Sequence, residues 1–286
     1  MTVDRALGAC AAVGPFFAVR TGPAGDGRGP RAEGYVPLAE AYRPAVGCAP
    51  PRGAAHDRAV SATGPGRSRH AAPGAPAAGG GPAAGPPAAL PARIDAVAGS
   101  TGTGERRVAG SLAFQGLAAR LWSVALGPAA LAGQVPDLRP DALWWNPDRL
   151  APDDLWLPGP VREVPGPDGA APRLRRTVLS DHLLPLHRAT VEASGVSGAL
   201  LWGNAASALA GSLRVLHGWC LGRERPDAAR RAVTLAAALL AEPPLRAAGH
   251  WQRGPERDFR RRSCCLYYRV PGGGLCGDCA LPRRPG

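Results

Sequence analysis

The chain has 286 residues, which is enough for one large domain or two small ones with a buried core. Its composition, with 39 glycines and 32 prolines, excludes a coiled coil, a collagen and an array of long β-strands. All 34 basic residues are arginine and the net charge is +12, but this arginine excess is typical of GC-rich coding, so the charge alone does not indicate a polyanionic partner.

Apolar residues dominate positions 6–19, which predicts a short helix or a packed apolar segment. The tetrapeptide at 7–10 resembles a lipoprotein cleavage box, but only six residues precede it, and they leave no room for a signal sequence. No run of about 18 apolar residues occurs, so we expect no transmembrane segment. We therefore expect a cytoplasmic protein, in which thiols stay reduced and cysteines act as ligands or nucleophiles rather than in disulfides.

Residues 44–92 form a low-complexity window that contains 10 Pro, 9 Gly and 16 Ala. Such a segment cannot bury enough apolar surface to offset the entropy of ordering it, which predicts a disordered insert. A frame-shifted stretch of GC-rich coding sequence would have the same composition. The window separates residues 1–43, the N-terminal part of the predicted domain, from a helical core at 93–255 and a C-terminal segment at 256–286.

The helical core is predicted from apolar residues that recur at steps of three and four. This pattern predicts helices over 111–127, 197–217 and 227–241, with Ser197 and Asp227 as N-caps. Between the first two, residues 137–178 hold short apolar runs interrupted by prolines, which favours short β-strands. The predicted fold class is α+β: a predominantly helical single domain with a small antiparallel β meander and a C-terminal Cys-rich segment.

The C-terminal segment carries four of the seven cysteines within 16 positions, spaced C-C-x10-C-x2-C: Cys264, Cys265, Cys276 and Cys279. Four thiolates can hold either Zn²⁺ or an iron–sulfur cluster. A tetrahedral zinc site usually takes two C-x2-C pairs, and only one is present. Adjacent cysteines in an extended chain point in different directions, so they reach the two irons of a [2Fe–2S] cluster more readily than one metal ion. The spacing favours [2Fe–2S], with a zinc staple or inert buried thiols as the alternatives.

This cysteine pattern in its setting Cys-Cys-Leu-Tyr-Tyr-Arg-Val-Pro-Gly-Gly-Gly-Leu-Cys-Gly-Asp-Cys resembles the FhuF-like siderophore-iron (ferric iron) reductase family, in particular its actinobacterial (2Fe-2S)-binding members. Upstream, residues 14–17, 107–112, 143–145 and 201–206 resemble other landmarks of the family, in the same order. The resemblance covers about 1–43 and 93–286, and the low-complexity window has no counterpart in it.

The resemblance implies a cytoplasmic oxidoreductase that reduces siderophore-bound Fe³⁺ to Fe²⁺ by one electron and so releases the iron. It implies that a [2Fe–2S] cluster, held by the four cysteines above, carries the electron. No dinucleotide-binding fingerprint is present, so we expect a separate electron-donor protein. The alternatives are a non-catalytic iron–sulfur redox or iron sensor and, less favoured, a zinc-stapled binding module. A nucleic-acid partner is not expected, because no recognition motif is present.

Other residues near the cysteines are weaker candidates. Basic side chains close to a cluster would raise its reduction potential, or they would dock an anionic siderophore or an acidic donor protein. The alternative is a solvated basic surface. The candidates are Arg260, Arg261, Arg262 and Arg269. We expect Tyr267 and Tyr268 to pack rather than to stack on substrate, and Asn204 to be buried and to cap a neighbouring loop. Residues 272–274 are glycines that would let backbone N–H groups approach the cluster sulfurs.

The remaining tryptophans, histidines and cysteines have no spacing that indicates a site. We expect the tryptophans to be core residues: Trp144, Trp145 and Trp156. We expect the histidines to lie in the core or at the surface: His182, His187 and His217. The isolated cysteines are predicted to behave as plain apolar residues: Cys10, Cys48 and Cys220.

Overall fold

The computed structural model describes residues 2–23, 25, 29–43, 89–166, 169–252 and 259–281. The helices are α1 (Val3–Cys10), α2 (Leu38–Ala41), α3 (Ala89–Thr101), α4 (Arg106–Ala132), α5 (Ala170–Leu174), α6 (Leu184–Ser194), α7 (Gly198–Gly222), α8 (Pro226–Leu240) and α9 (Pro243–Arg246). A π-helical stretch, Arg175–Leu183, joins α5 to α6, and short 3₁₀ turns lie at Pro15–Phe17, Pro30–Glu33 and Tyr267–Arg269. The strands are β1 (Arg20–Thr21), β2 (Val36–Pro37), β3 (Trp144–Trp145), β4 (Leu155–Leu157), β5 (Gly249–Trp251) and β6 (Phe259–Arg261).

Helix α4 is the central element of the fold. Its sequence is apolar on every face, and a helix of that kind is stable only when it is surrounded. Helices α1, α3, α6, α7 and α8 pack around it, and α7 makes the most extensive contact. Two hydrogen bonds inside the core fix α4 against α7, one from Trp122 Nε1 to the Ala205 carbonyl (3.1 Å) and one between the hydroxyls of Ser123 and Ser212 (2.8 Å).

A small sheet covers one end of the helical core. Its strand order is β1-β4-β3-β2, with β1 parallel to β4 and the other two pairs antiparallel. Strands β1 and β2 come from the N-terminal part of the chain, and β3 and β4 from the middle of it. The N-terminal part also contributes Leu7, Phe17 and Leu38 to the same hydrophobic core as the long helices. The described parts on either side of the low-complexity window are therefore packed into one core.

A buried ion pair fastens the sheet and the N-terminal part to α4. Arg120 is 2% exposed and donates from Nε to the Asp154 carboxylate at 2.8 Å. Its Nη groups donate to carbonyls before β1, among them those of Pro15 (3.0 Å) and Ala18 (2.7 Å), and to the Pro152 carbonyl (3.3 Å). Burial lowers the pKa of Arg120 and raises that of Asp154, and the attraction between the two charges opposes both changes.

The predicted fold class is confirmed: the protein is mainly helical, with a small sheet and a C-terminal Cys-rich region. The three predicted helices are α4, α7 and α8, and the first continues through Pro128 to Ala132 because the residues after the proline are buried. Ser197 is the N-cap of α7, although its side chain makes no capping bond. The N-cap of α8 is Arg225 rather than Asp227, which lies in the first turn.

The region 137–178 differs from the predicted meander. Only β3 and β4 form there, and their sheet is completed by β1 and β2 with one parallel pair, so it is not a purely antiparallel meander. Residues 161–164 form an isolated bridge, between Glu163 and Pro136, rather than a strand. From Ala170 onward the chain is helical. The prolines that interrupt this region leave strands too short to show an alternating pattern.

The predicted insert at 44–92 lies outside the described residues except at its end. Helix α3 begins at Ala89 and buries Leu90, so residues 89–92 belong to the helical core and not to the insert. Within the part of the chain that the structure describes, no helix combines the length and the apolar character needed to cross a bilayer.

Candidate functional site

The cysteine-bearing segment follows the β5–β6 hairpin and folds back on itself in tight turns. After Cys264 and Cys265 the chain reverses at Leu266, whose φ is +67°, and enters the 3₁₀ turn Tyr267–Arg269. A second reversal includes Gly272 (φ +71°) and Gly273, where a Cβ would overlap the Tyr267 carbonyl oxygen. These turns return the chain toward β6, where Arg261 N–H donates to the Asp278 carbonyl (3.2 Å).

The first cysteine pair is anchored to α4. Ser111, fully buried, donates from its hydroxyl to the Cys265 carbonyl at 2.7 Å. At the start of the same helix, Glu105 forms an ion pair with Arg269 at 2.7 Å. The hydrogen bond is protected from water whereas the ion pair is at the surface, so the hydrogen bond contributes more to holding Cys265.

The second cysteine pair is anchored to α7 through Asp278, which lies between Cys276 and Cys279. The Asp278 side chain is 7% exposed and accepts from Ser207 Oγ at 2.6 Å and from Arg214 Nη1 at 2.9 Å. Because the carboxylate is buried and charged, both contacts are strong hydrogen bonds. The two long core helices thus hold one cysteine pair each.

The cysteine sulfurs accept hydrogen bonds from the backbone of the turns. Leu266 N–H lies 3.3 Å from Cys264 Sγ, and Leu281 N–H lies 3.4 Å from Cys279 Sγ. The predicted donors at 272–274 differ: Gly273 N–H donates to the Val270 carbonyl instead, at 2.8 Å. Backbone N–H groups aimed at sulfur stabilise its thiolate form, which is the form that binds metal.

Cys265 and Cys276 are brought together from the two ends of the segment. The hydrogen bond that the two thiols share lowers the pKa of Cys265 to about 6, with further lowering by the Tyr267 N–H and by the charge of Arg261. The same pairing, together with burial, raises the pKa of Cys276. Cys265 and Cys279 are buried, whereas Cys264 and Cys276 are half-buried. Within the described ranges, no three His, Cys, Asp or Glu side chains are arranged to hold a metal ion.

A cavity of about 480 Å³ opens beside the second cysteine pair. It lies between the 3₁₀ turn Pro15–Phe17, α4 and α7, and Cys276 and Asp278 form part of its wall. Most of the lining is apolar or hydroxyl-bearing, and its charged lining residues, Arg214 and Asp278, pair with each other. A more polar cavity of about 600 Å³ elsewhere, between residues 137–139 and 162–181, has no cysteine among its lining residues.

Residues 261–281 match the family model described as the FhuF 2Fe-2S C-terminal domain. The chain carries an FhuF-type [2Fe–2S] segment. The match supports membership of the chain in the FhuF-like siderophore-iron reductase family. It also identifies a [2Fe–2S] cluster as the cofactor. No curated protein matches the chain.

By their donor chemistry, the residues of the FhuF segment fit a cluster of this kind. All four cysteines fall within the matched residues, and thiolate sulfur is the donor that [2Fe–2S] iron takes. N–H groups already point at two of the sulfurs. Within the described residues, Nε and Nη1 of the buried Arg261 have no hydrogen-bond acceptor, so the site contains a cation that lacks an anion.

The four candidate arginines of the FhuF segment have different environments. Arg261 is 2% exposed, whereas Arg262 and Arg269 are exposed and Arg260 is half-buried. Arg269 is engaged by Glu105, and Arg260 Nη2 reaches the Leu281 carbonyl at 3.5 Å. The interpretation as a solvated basic surface therefore fits Arg262 but not Arg261.

Asn204 is buried as predicted, but it joins two elements rather than capping a loop. Its amide donates to the Ser111 carbonyl (2.8 Å) and hydroxyl (2.9 Å), and its oxygen accepts from Arg261 Nη2. Tyr267 and Tyr268 are 41% and 44% exposed, so their rings are not part of the buried core. They flank the cysteines at the surface.

The other candidates are structural. Trp145 and Trp156 are buried, as expected for core residues, whereas Trp144 is only half-buried. His182 is fully buried, His187 stacks on Trp202 with ring centroids 4.6 Å apart, and His217 is half-buried. Cys10 and Cys220 are buried in the core, and Cys48 lies outside the described residues.

Sequence reasoning missed the anchors of the FhuF segment. Ser207 and Arg214 share one face of α7 with Gly203 and Gly211, at steps of four, four and three along an otherwise apolar helix. That row of small and polar residues is the signal that could have indicated a contact face. Three of the four upstream landmarks also meet here, since 14–17 line the cavity, 107–112 include Ser111 and 201–206 include Asn204.

Proposed function

We propose that this protein is a ferric-siderophore reductase that acts in the cytoplasm, with Cys264, Cys265, Cys276 and Cys279 as the ligands of its [2Fe–2S] cluster. The observation that carries the proposal is the match of residues 261–281 to the FhuF 2Fe-2S C-terminal domain, which contains all four cysteines. When bound, such a cluster supplies a one-electron donor.

The proposed reaction moves one electron and breaks no covalent bond. An external one-electron donor protein is oxidised, and siderophore-bound Fe³⁺ is reduced to Fe²⁺. The oxygen donors of a siderophore hold Fe²⁺ far more weakly than Fe³⁺, so release of the iron follows the electron. The role of the chain is to hold the electron carrier close to both partners and to keep its surroundings ordered.

We place the ferric chelate in the cavity beside Cys276. The cavity volume, about 480 Å³, is in the range of small-molecule sites, and its wall includes the loop that carries the second cysteine pair. Ser207 and Arg214 line the cavity and also bind Asp278, so the groups that would contact the chelate hold the cysteine loop. Electron transfer needs such proximity, and no proton has to move with the electron.

The exposed side of the FhuF segment suits the donor protein. Tyr267, Tyr268 and Leu275 are each more than 40% exposed, and Arg262 lies in the same segment. Tyrosine and arginine are enriched at protein interfaces, and a basic rim favours an acidic partner. This surface is separate from the residues that line the cavity, so donor and chelate need not compete.

The test is a single-turnover reaction under anaerobic conditions. The holoprotein is reduced with dithionite, freed of excess reductant and mixed with a ferric siderophore, while absorbance reports the cluster and a ferrous-specific chelator traps the iron. We expect the cluster to be reoxidised at a rate proportional to the concentration of the ferric siderophore, with one Fe²⁺ formed per cluster.

The gallium(III) form of the same siderophore is the matched control, because Ga³⁺ has nearly the size of Fe³⁺ but accepts no electron. Cys276→Ser, which removes one ligand, is expected to show neither cluster absorbance nor ferrous iron. If no ferric chelate reoxidises an intact cluster, the reductase proposal fails and the sensor alternative gains.

A further inference from the structure

Arg261 is a buried cation for which the described residues provide no anionic partner. It is 2% exposed, and within the described residues it forms no ion pair and its Nε and Nη1 have no hydrogen-bond acceptor. A buried charge that lacks a counter-charge costs several kcal/mol. Buried Arg120, by contrast, has the Asp154 carboxylate and several carbonyls around it. Arg261 therefore needs a counter-anion, and the described protein groups do not supply one.

The fold holds the Arg261 guanidinium in one orientation. Its Nη2 donates to the Asn204 side-chain oxygen, and the Asn204 amide is fixed in turn by Ser111 at 2.8 and 2.9 Å. The Ser111 hydroxyl donates to the Cys265 carbonyl, so a chain of hydrogen bonds connects the guanidinium to a cysteine backbone. At Gly203 a Cβ would come within 3.3 Å of Arg261 Nη2 and would overlap Ser263 Oγ, so α7 has room for this arrangement only with glycine there.

The cysteine sulfurs are the groups that can supply this negative charge, because each binds metal as a thiolate. Hydrogen bonds lead from Arg261 to both cysteine pairs. Its backbone N–H donates to the carbonyl of Asp278, which lies between Cys276 and Cys279, and Asn204 and Ser111 link its guanidinium to the Cys265 carbonyl. The nearby Asp278 carboxylate is already bound by Ser207 and Arg214. Of the other arginines, Arg262 and Arg269 are exposed and Arg260 is half-buried, so water screens their charge more than that of Arg261.

We propose that Arg261 is the internal counter-cation of the [2Fe–2S] cluster and raises its reduction potential, with Asn204 as the residue that positions it. The proposal rests on the cysteine ligand set of the proposed function. A cluster with four thiolates is a dianion when oxidised and a trianion when reduced. A fixed cation in a low-dielectric site stabilises the trianion more than the dianion, so it makes the cluster easier to reduce.

The test is an anaerobic redox titration of the full-length holoprotein, with the midpoint potential read from visible absorbance and from the EPR signal of the reduced form. Arg261→Gln removes the charge and keeps hydrogen-bond donors, and we expect a clear negative shift. Arg262→Gln removes a charge from the next residue in the chain, which is exposed, and we expect a much smaller shift of the midpoint potential. Arg261→Lys, which keeps the charge, is expected to fall between Arg261→Gln and the unmodified protein.

Asn204→Asp gives a second route to the same measurement. It leaves Arg261 in place and sets a carboxylate against the guanidinium, so the pair becomes neutral and the potential shifts negative again. Equal potentials for Arg261→Gln and Arg262→Gln would overturn the proposal. So would loss of the cluster in all the Arg261 and Asn204 variants but not in Arg262→Gln, because that result assigns the network to assembly of the site. The titration contains no ferric chelate, so its outcome is independent of whether the protein reduces siderophores.

Discussion

Asp278 shows how a single side chain can fix the loop that carries two of the proposed cluster ligands. The C-x2-C pair is a four-residue turn, and such turns are mobile unless something holds them. The carboxylate of Asp278 fills this role, since it is buried and bound by a hydroxyl and a guanidinium of α7.

We predict that Asp278→Asn weakens retention of the cluster while the fold is kept. The change preserves shape but removes the carboxylate charge and replaces one acceptor oxygen with an amide donor, so one of the two hydrogen bonds is lost, each of which contributes about 1.5–3 kcal/mol when one partner is ionised. The rate of cluster loss in the presence of an iron chelator, followed by visible absorbance, should rise about tenfold or more. Asp227→Asn, at an exposed position in α8, is the control, and equal rates for the two variants would contradict the prediction.

Helix α7 has a different role along each of its faces. One face is apolar and packs on α4 and α8, and the other, with Gly203, Ser207, Gly211 and Arg214, faces the FhuF segment and the cavity. Glycine costs a helix about 1 kcal/mol relative to alanine, so glycines in the middle of α7 need a local reason. At Gly211 sterics do not require glycine. The nearest neighbouring atom to a Cβ built there is Arg214 Nη2 at 4.0 Å, and a larger side chain would project into the cavity.

We predict that Gly211→Leu obstructs the chelate without disturbing the cluster. A leucine at this position projects into the cavity and occupies part of its volume. The second-order rate constant for reoxidation by a ferric siderophore should fall about tenfold, which corresponds to about 1.4 kcal/mol, whereas the midpoint potential should not change. Stopped-flow absorbance and redox titration measure the two quantities.

Gly218→Leu is the matched control for this prediction. It makes the same change in the same helix at an exposed position with open space around it, away from the cavity lining. Both leucines favour the helix, so differences in helix stability cancel between the two variants. Equal reoxidation rates for the two would show that the chelate does not enter this cavity.

At the scale of the whole molecule, His182 joins segments that are distant in sequence. It is fully buried in the π-helical stretch, its Nδ1 lies 2.5 Å from the Tyr42 hydroxyl, and its Nε2 contacts the Leu138 carbonyl. Burial lowers the pKa of His182 from 6.5 to about 4. The unfolded chain therefore takes up a proton near pH 6.5 that the folded protein resists until about pH 4.

We predict that this histidine makes the protein less stable in acid. Its contribution to stability is fully present above pH 6.5 and is lost as the pH falls toward 4. Between pH 7.5 and pH 5 the free energy of unfolding should drop by roughly 2 kcal/mol more in the unmodified protein than in His182→Gln. Urea unfolding followed by far-UV circular dichroism at the two pH values measures this.

The exposed His250 provides the comparison, because His250→Gln should keep the full loss of stability between the two pH values. If His182→Gln also kept it, the buried imidazole would not be the group responsible. The difference between pH values is the informative quantity, since either substitution can change stability by a constant amount.

The elements that the sequence predicted are those whose signal is local and long enough to repeat. Helices α4, α7 and α8 carry several turns of apolar periodicity. The sequence pattern did not predict helix α3, because alanine, glycine and proline dominate the sequence in and before it and only Leu90 and Ile94 are buried. Strands of two or three residues are too short to show alternation. Two of their four pairings also join segments more than a hundred residues apart, such as Arg20 with Trp156.

The sequence by itself indicated the chemistry of the site, because the four cysteines lie within 16 positions and their spacing can be read directly along the chain. Only the tertiary structure decided what surrounds them. Ser111 and Cys265 are 154 residues apart, and Ser207 and Asp278 are 71 apart. Arg260, Arg261 and Arg262 are chemically identical in sequence, and the packing of β6 against α7 buries only the middle one. Burial depends on contacts between distant segments, and a charge affects a cluster strongly only where water is excluded.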